Sequence, residues 1–272
     1  MNSTVHVNTC PFGPGQINKL AEIGKVYGTD VGFEIMASFD DRDFEKKIVD
    51  ILPEILHHQI SWHCPVRLAE YSAAKGTPEY EESMKQLQTI KRFCKMTHSD
   101  HYVMRFNNCV VDPAKKDDML FNALEAYQEI VDLFGKSGCR VYVENSGTID
   151  EGTMLLDQDE FTLIVKEYDM DVLVDIGHAH ANGWNITKLV EDLKDQIWAY
   201  HLHNNDGKHD THNRIHDGTI DYDNLLNFLA EQTPGAEWVL EYENPDDLGD
   251  GLLDDLEELI AFRKMTVGSF QL

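Results

Sequence analysis

The residues best able to do chemistry in this 272-residue chain crowd into positions 171–218, which read DVLVDIGHAHANGWNITKLVEDLKDQIWAYHLHNNDGKHDTHNRIHDG. Two apolar runs, 172–174 and 197–200, each end in a burst of Asp and His. Asp175, His178, His203, Asp210 and His212 offer carboxylate oxygens and imidazole nitrogens, the donors that divalent metals take. Between the two runs Ile186, Leu189, Val190 and Leu193 recur at i, i+3, i+4 and i+7, one face of a helix. The unit is strand, helix, strand, with reactive residues at the carboxyl ends of the strands. In a βα barrel that is the end where sites are built.

The rest of the chain repeats this unit. Apolar runs at 5–10, 31–36, 60–62, 102–106, 141–143 and 238–240 read as strands. Helical patterns follow at 20–27 and 44–52, then as stripes through Leu87, Ile90 and Cys94 and through Leu120, Leu124, Tyr127, Val131 and Phe134. Gly135 and Gly138 stop the latter. A helix at 161–165 follows the fifth strand, Asp221 caps one through Leu225, Leu226 and Leu229, and Leu253, Leu256 and Ile260 stripe the last. Strict alternation implies a parallel sheet, and eight units imply its closure into one α/β domain over 1–272, a (β/α)8 TIM barrel. A doubly wound open sheet is the alternative, but no Gly-rich phosphate loop follows the first strand.

Composition narrows the function. Acidic residues number 49 against 23 Lys and Arg, a formal charge of −26, which disfavours nucleic acid and anionic membranes as partners. The chain carries no apolar run near the roughly 20 residues of a membrane span and no signal-peptide pattern at MNSTVHVNTC, so a cytoplasmic location is expected. Five cysteines, never in CxxC spacing, read as reduced and mostly buried thiols.

Barrel closure would gather Glu34, His63, Arg105, Glu144, Asp175, His178, His203 and Glu241 from successive strand ends. Singly, each has an ordinary structural role as cap, salt bridge or hydrogen-bond partner. Their joint occurrence is what structure alone does not require. Carboxylates converging in one mouth repel unless a cation neutralises them, so a bound metal is the economical explanation.

VEN at 143–145, DIGHAH at 175–180, HNNDGKHDTH at 203–212 with the HDGTID after it, and VLE at 239–241 resemble the xylose isomerase-like TIM-barrel superfamily. That group includes sugar isomerases and epimerases, sugar phosphate members among them, a dehydroshikimate dehydratase and endonuclease IV. The resemblance runs through nearly the whole chain in strand order and is most specific in the second half. It implies that Glu144, Asp175, His203 and Glu241 hold one divalent ion (Mn2+, Zn2+, Co2+ or Mg2+) and that Glu144 and Glu241 form the acid/base pair. It implies substrate contacts for His63, Arg105, His178 and Glu34. His178, Asp210 and His212 match ligands of another metal in the nuclease branch, a second candidate ion here. At strand four the nuclease pattern has a metal-binding His, where this chain reads VMRFNN and places Arg105, which cannot ligate a metal.

The expected function is therefore a metal-dependent isomerase or epimerase of a small sugar or related polyhydroxy carbonyl compound, with a carbohydrate-like molecule as its partner. The alternatives are a dehydratase using the same enolate chemistry, an endonuclease IV-like phosphodiesterase, and a non-catalytic ligand-binding barrel. Self-association as a homo-oligomer is compatible with all of them.

Overall fold

A computed structural model describes residues 4–13, 15–66 and 68–269. Among the described residues the strands are β1 (Val5–Asn8), β2 (Val31–Met36), β3 (Ile60–His63), β4 (His101–Met104), β5 (Arg140–Glu144), β6 (Asp171–Asp175), β7 (Ile197–Leu202) and β8 (Glu237–Leu240). The helices between and after them are α1 (Lys19–Tyr27), α2 (Phe44–Ile55), α3 (Pro78–Thr97), α4 (Lys116–Gly135), α5 (Gln158–Tyr168), α6 (Ile176–Ala181), α7 (Ile186–Leu193), α8 (Tyr222–Gln232) and α9 (Asp250–Ser269). The strands run parallel in sequence order, and β8 pairs with β1, closing the expected barrel.

Most of the apolar core lies between sheet and helices, where strand residues such as Val172 and Val174 of β6 are fully buried. Inside the barrel Val103, Tyr142, Leu173 and Ala199 form a separate cluster, one residue from each of β4 to β7. Burying a side chain of the Val or Leu class is worth about 1.5–3 kcal/mol, so both layers drive closure. No helix among the described residues is long and apolar enough to cross a membrane.

Three boundaries differ from the sequence reading in ways that matter to the site. β4 stops at Met104, leaving Arg105 just beyond the strand end. β7 continues through His201 and Leu202, because period-2 alternation persists after the apolar run ends. Directly after β6 comes α6, whose N-cap Asp175 accepts from the backbone N–H of His178 at 2.7 Å. α2 runs through Pro53 to Ile55, beyond its expected end at Leu52. The cysteines are all free: Cys64, Cys94 and Cys139 are buried, Cys10 is half-buried and Cys109 is exposed.

Candidate metal centre and acid/base site

Side chains alternate faces along a strand. Two residues beyond the inward-facing Val103, Tyr142, Leu173 and Ala199 therefore come Arg105, Glu144, Asp175 and His201, facing inward at the mouth. Asn8, Glu34, His63 and Glu241 complete the ring from β1, β2, β3 and the end of β8. All eight are buried.

His201 is the hub. Its Nε2 donates to Glu34 Oε1 at 2.8 Å, which leaves Nδ1 facing the cluster. That nitrogen lies 3.0 Å from Glu241 Oε2, 3.4 Å from Asp175 Oδ2 and 4.0 Å from Glu144 Oε1. Asn8 Nδ2 donates both to Glu34 Oε1 at 2.7 Å and to Glu241 Oε1 at 2.9 Å, fixing the two carboxylates. Glu144 is gripped from the other side. Arg105 donates through Nε to Oε2 and through a terminal nitrogen to Oε1, both at 2.8 Å, and His63 Nε2 donates to Oε2 at 2.9 Å.

A second cluster adjoins the first. The loop after β7 turns at Gly207, whose φ of +81° suits glycine, and returns Asp210 and His212 over α6. Asp210 Oδ2 lies 3.0 Å from His178 Nε2 and 3.1 Å from His212 Nε2. His212, itself at φ +43°, donates from Nδ1 to the Glu241 carbonyl at 3.1 Å. His203 stands between the clusters. Its Nε2 donates to Asp175 Oδ1 at 3.0 Å, and its Nδ1 points toward Asp210 Oδ1, 3.9 Å away. The His203 ring packs so closely on α6 that a Cβ at Gly177 would sit 1.9 Å from it.

Burial alone would push these carboxyl groups up and the imidazoles down. At Glu144 burial is outweighed by Arg105, then His178 and His63, holding the carboxyl well below its usual range. His201 and His212 hold Glu241 at about 2 despite burial. Against burial, the carboxylates in turn push His178 and His201 well up and His212 to about 9, and Cys64 followed by Glu144 pushes His63 well up. Even so, among the described residues His201 Nδ1 and Glu241 Oε2, 3.0 Å apart, have no hydrogen-bond partner, and neither do His203 Nδ1 and Asp210 Oδ1. Buried polar atoms are rarely left this way. An ion about 2.0–2.2 Å from each ligand atom would satisfy them, since such ligands lie roughly 3–4 Å apart. The residues fit a divalent metal.

The profile of the family described as xylose isomerase-like TIM barrel matches residues 56–262, more than half of the chain. The chain belongs to that family. Two uncharacterised proteins of Methanocaldococcus jannaschii are similar in sequence. MJ1311 is 30% identical over 133 residues, 47% of this chain and 44% of that protein; MJ1614 is 24% identical over 141 residues, 52% and 54%. The chain thus spans about half the length of the curated relatives it matches. Among solved structures, a D-tagatose 3-epimerase-like protein superposes with a TM-score of 0.77 at 19% identity, covering 97% of this chain and 99% of that one. The IolI protein with a bound zinc atom gives 0.72 at 18%, covering 97% and 96%. The 3-keto-D-glucoside 4-epimerase YcjR from E. coli gives 0.68 at 15%, covering 94% and 98%. At these identities the structures share the family's fold.

Against the residues expected from the family resemblance, the geometry departs at three points. Glu34 and His63, expected to touch substrate, lie beneath the mouth and bond to His201, Asn8 and Glu144 instead. His203 has donor atoms within 4.8 Å of Asp175 and Glu241, but its bare nitrogen faces the second cluster. His201, which the sequence reading passed over, presents its bare nitrogen to Asp175 and Glu241. The signal was the H-x-H alternation of β7, which puts both imidazoles on the inner face. Asn8 was missed because an amide is a weak metal ligand. Arg105, Asp210, His212 and Glu241 line a cavity of about 370 Å3.

Proposed function

We propose that the chain is a divalent-metal-dependent isomerase or epimerase of a small sugar or related polyhydroxy carbonyl compound. The observation that carries this reading is the carboxylate pair Glu144 and Glu241, set on either side of His201 and Asp175. The unpartnered oxygen of Glu241 belongs to a residue lining a cavity of small-molecule size. The epimerases and the zinc-bearing IolI protein that share its fold support the reaction class and the metal.

Glu144, Asp175, His201 and Glu241 would hold one ion; His178, His203, Asp210 and His212 would hold a second. When bound, such an ion supplies Lewis-acid polarisation of a substrate carbonyl. Glu241, kept ionised by His201 and His212, accepts the proton as the substrate's α C–H bond breaks and the electron pair shifts onto the carbonyl oxygen. Glu144 stands on the opposite side, oriented by Arg105 and His63; held ionised there, it would take up a solvent proton before returning one to the substrate carbon. Glu34 fixes the tautomer of His201, and Asn8 fixes both Glu34 and Glu241.

The test follows exchange of α-hydrogen with deuterated solvent across a panel of ketoses. Metal-loaded wild type should wash deuterium into at least one compound, and Glu241→Gln should slow this by about 10²–10⁴-fold. A nuclease reading draws on the His178, Asp210 and His212 cluster, whereas Arg105 on Glu144 and the −26 charge oppose it. Cleavage of abasic DNA with no exchange on the panel would establish that reading in place of proton abstraction.

A further inference from the structure

We propose that the substrate of this site is an uncharged polyhydroxy ketone, and that sugar phosphates and sugar acids are excluded; the proposal rests on the isomerase/epimerase reading. The cavity wall carries Asp40, Asp41, Glu151 and Glu243 outside the metal cluster. Arg105 is the only Lys or Arg among the described residues that line it, and two of its nitrogens are committed to Glu144. Lys47 pairs with Asp41, whereas among the described residues no cation pairs with Glu151 or Glu243, both exposed.

The centre offers no spare positive charge. Glu34, Glu144, Asp175, Asp210 and Glu241 bring five carboxylates, and the positive groups beside them are committed to these: Arg105 and His63 bond to Glu144, and divalent ions would sit among the others. A phosphate ester carries about −1.5 to −2 at pH 7 and would meet cations already committed to carboxylates, behind an acidic rim. A neutral polyol meets acceptors for its hydroxyl hydrogens, at Ser38 and the rim carboxylates. Apolar surface for its C–H faces comes from Phe12, Phe39 and Leu68.

Calorimetry with zinc-loaded protein would compare ribitol and sorbitol with their phosphate esters. The proposal expects the better neutral polyol to bind at least about tenfold tighter than its ester, and Glu151→Lys with Glu243→Lys to narrow that gap by about tenfold. Equal or tighter binding of the ester overturns it, and so does binding of neither polyol. The Arg67→Ala variant runs in parallel, because Arg67 lies outside the described residues. A preference for the neutral polyol that survives in Arg67→Ala supports the proposal, and one that Arg67→Ala abolishes overturns the assignment to these walls. Deuterium exchange into matched free and phosphorylated ketoses separates the two levels. Exchange into phosphorylated ketoses alone leaves the isomerase reading standing and overturns the uncharged-substrate proposal. Preferential polyol binding without any exchange supports the substrate class and removes the enzyme reading.

Discussion

At the mouth of the barrel five carboxylates face five histidines: Glu34, Glu144, Asp175, Asp210 and Glu241 against His63, His178, His201, His203 and His212. At the floor one glutamate, Glu237, faces His6 and His101, 3.6 and 3.9 Å from its Oε2. Both groups lie buried or half-buried in the same barrel, yet His101 at the floor behaves in the opposite way to His178, His201 and His212 at the mouth. At the mouth the carboxylates overcome burial and the His178, His201 and His212 rings are pushed toward the charged form. At the floor burial outweighs the pull of Glu237, and His101 is pushed toward the neutral form. Counting opposite charges around each ring, more than burial, decides its state. The mouth concentrates negative charge that only protons, Arg105 or metal ions can balance.

The largest expected effect breaks that balance. Arg105→Met keeps the stem of the side chain and removes the charge that clamps Glu144. In metal-free protein this should cost about 3–5 kcal/mol, as removing one partner of a buried pair does. Urea unfolding in chelator measures it. A cost below about 1 kcal/mol would mean that His63 and His178 alone balance Glu144, and that the mouth resembles the floor more than supposed.

His212 sets a pH signature opposite to that of His101. Its pKa in the folded metal-free chain, about 9, lies above the ordinary 6.5, so its stabilisation is complete below 6.5 and is lost as pH rises through about 9. Compared with His212→Asn, the metal-free wild type should gain about 2–3 kcal/mol at pH 6 and nothing by pH 10. A pH-independent difference would remove proton balance from the mouth. Metal loading follows the reverse course, since ligand imidazoles must give up protons and affinity rises with pH.

A smaller effect tests how the two clusters at the mouth are spaced. Gly177→Ala places a methyl where the His203 ring now lies, and the ring must move. Overpacking of this kind costs about 1–3 kcal/mol. The change should also lower zinc content at the second cluster while the first still fills. Unchanged stoichiometry by elemental analysis would show that His203 is dispensable there.

The closed barrel was legible because each strand is an apolar run and each helix a striped one. The buried cluster at the mouth was legible at Glu144, Asp175 and Glu241, where a strand's apolar run stops at a carboxylate. His201 was not, because a buried inward-facing imidazole inside a strand breaks hydrophobicity without breaking the strand. Only the period-2 alternation from Ala199 to His201 to His203 reveals it. The role of Glu34 was hidden for a different reason. Whether a strand-end carboxylate reaches the cavity or stops on a neighbour depends on stagger between strands, here the β1–β2 register that sets Asn8 beside Glu34. The folding back of Asp210 and His212 was readable in outline from Gly207, but the left-handed backbone at His212 was not.

The smallest effect lies at the floor. His101 is 1% exposed, stacks on Tyr142 at 4.2 Å between ring centroids, and among the described residues has neither ring nitrogen in a hydrogen bond. Replacing it by Phe keeps the stack and removes only the titratable group. At pH 7 to 8, where His101 is neutral, the change should therefore shift stability by less than about 1 kcal/mol. The sign of the pH dependence is the sharper readout. His101 has its folded pKa lowered from 6.5, so the stability tied to its neutral form is complete above 6.5 and is lost as pH falls below it. His101→Phe should match wild type at pH 8 and exceed it at pH 5, whereas His212→Asn should trail wild type at pH 5 and match it at pH 10. If both variants drift in the same direction with pH, the mouth and the floor do not differ in the way their charge counts require.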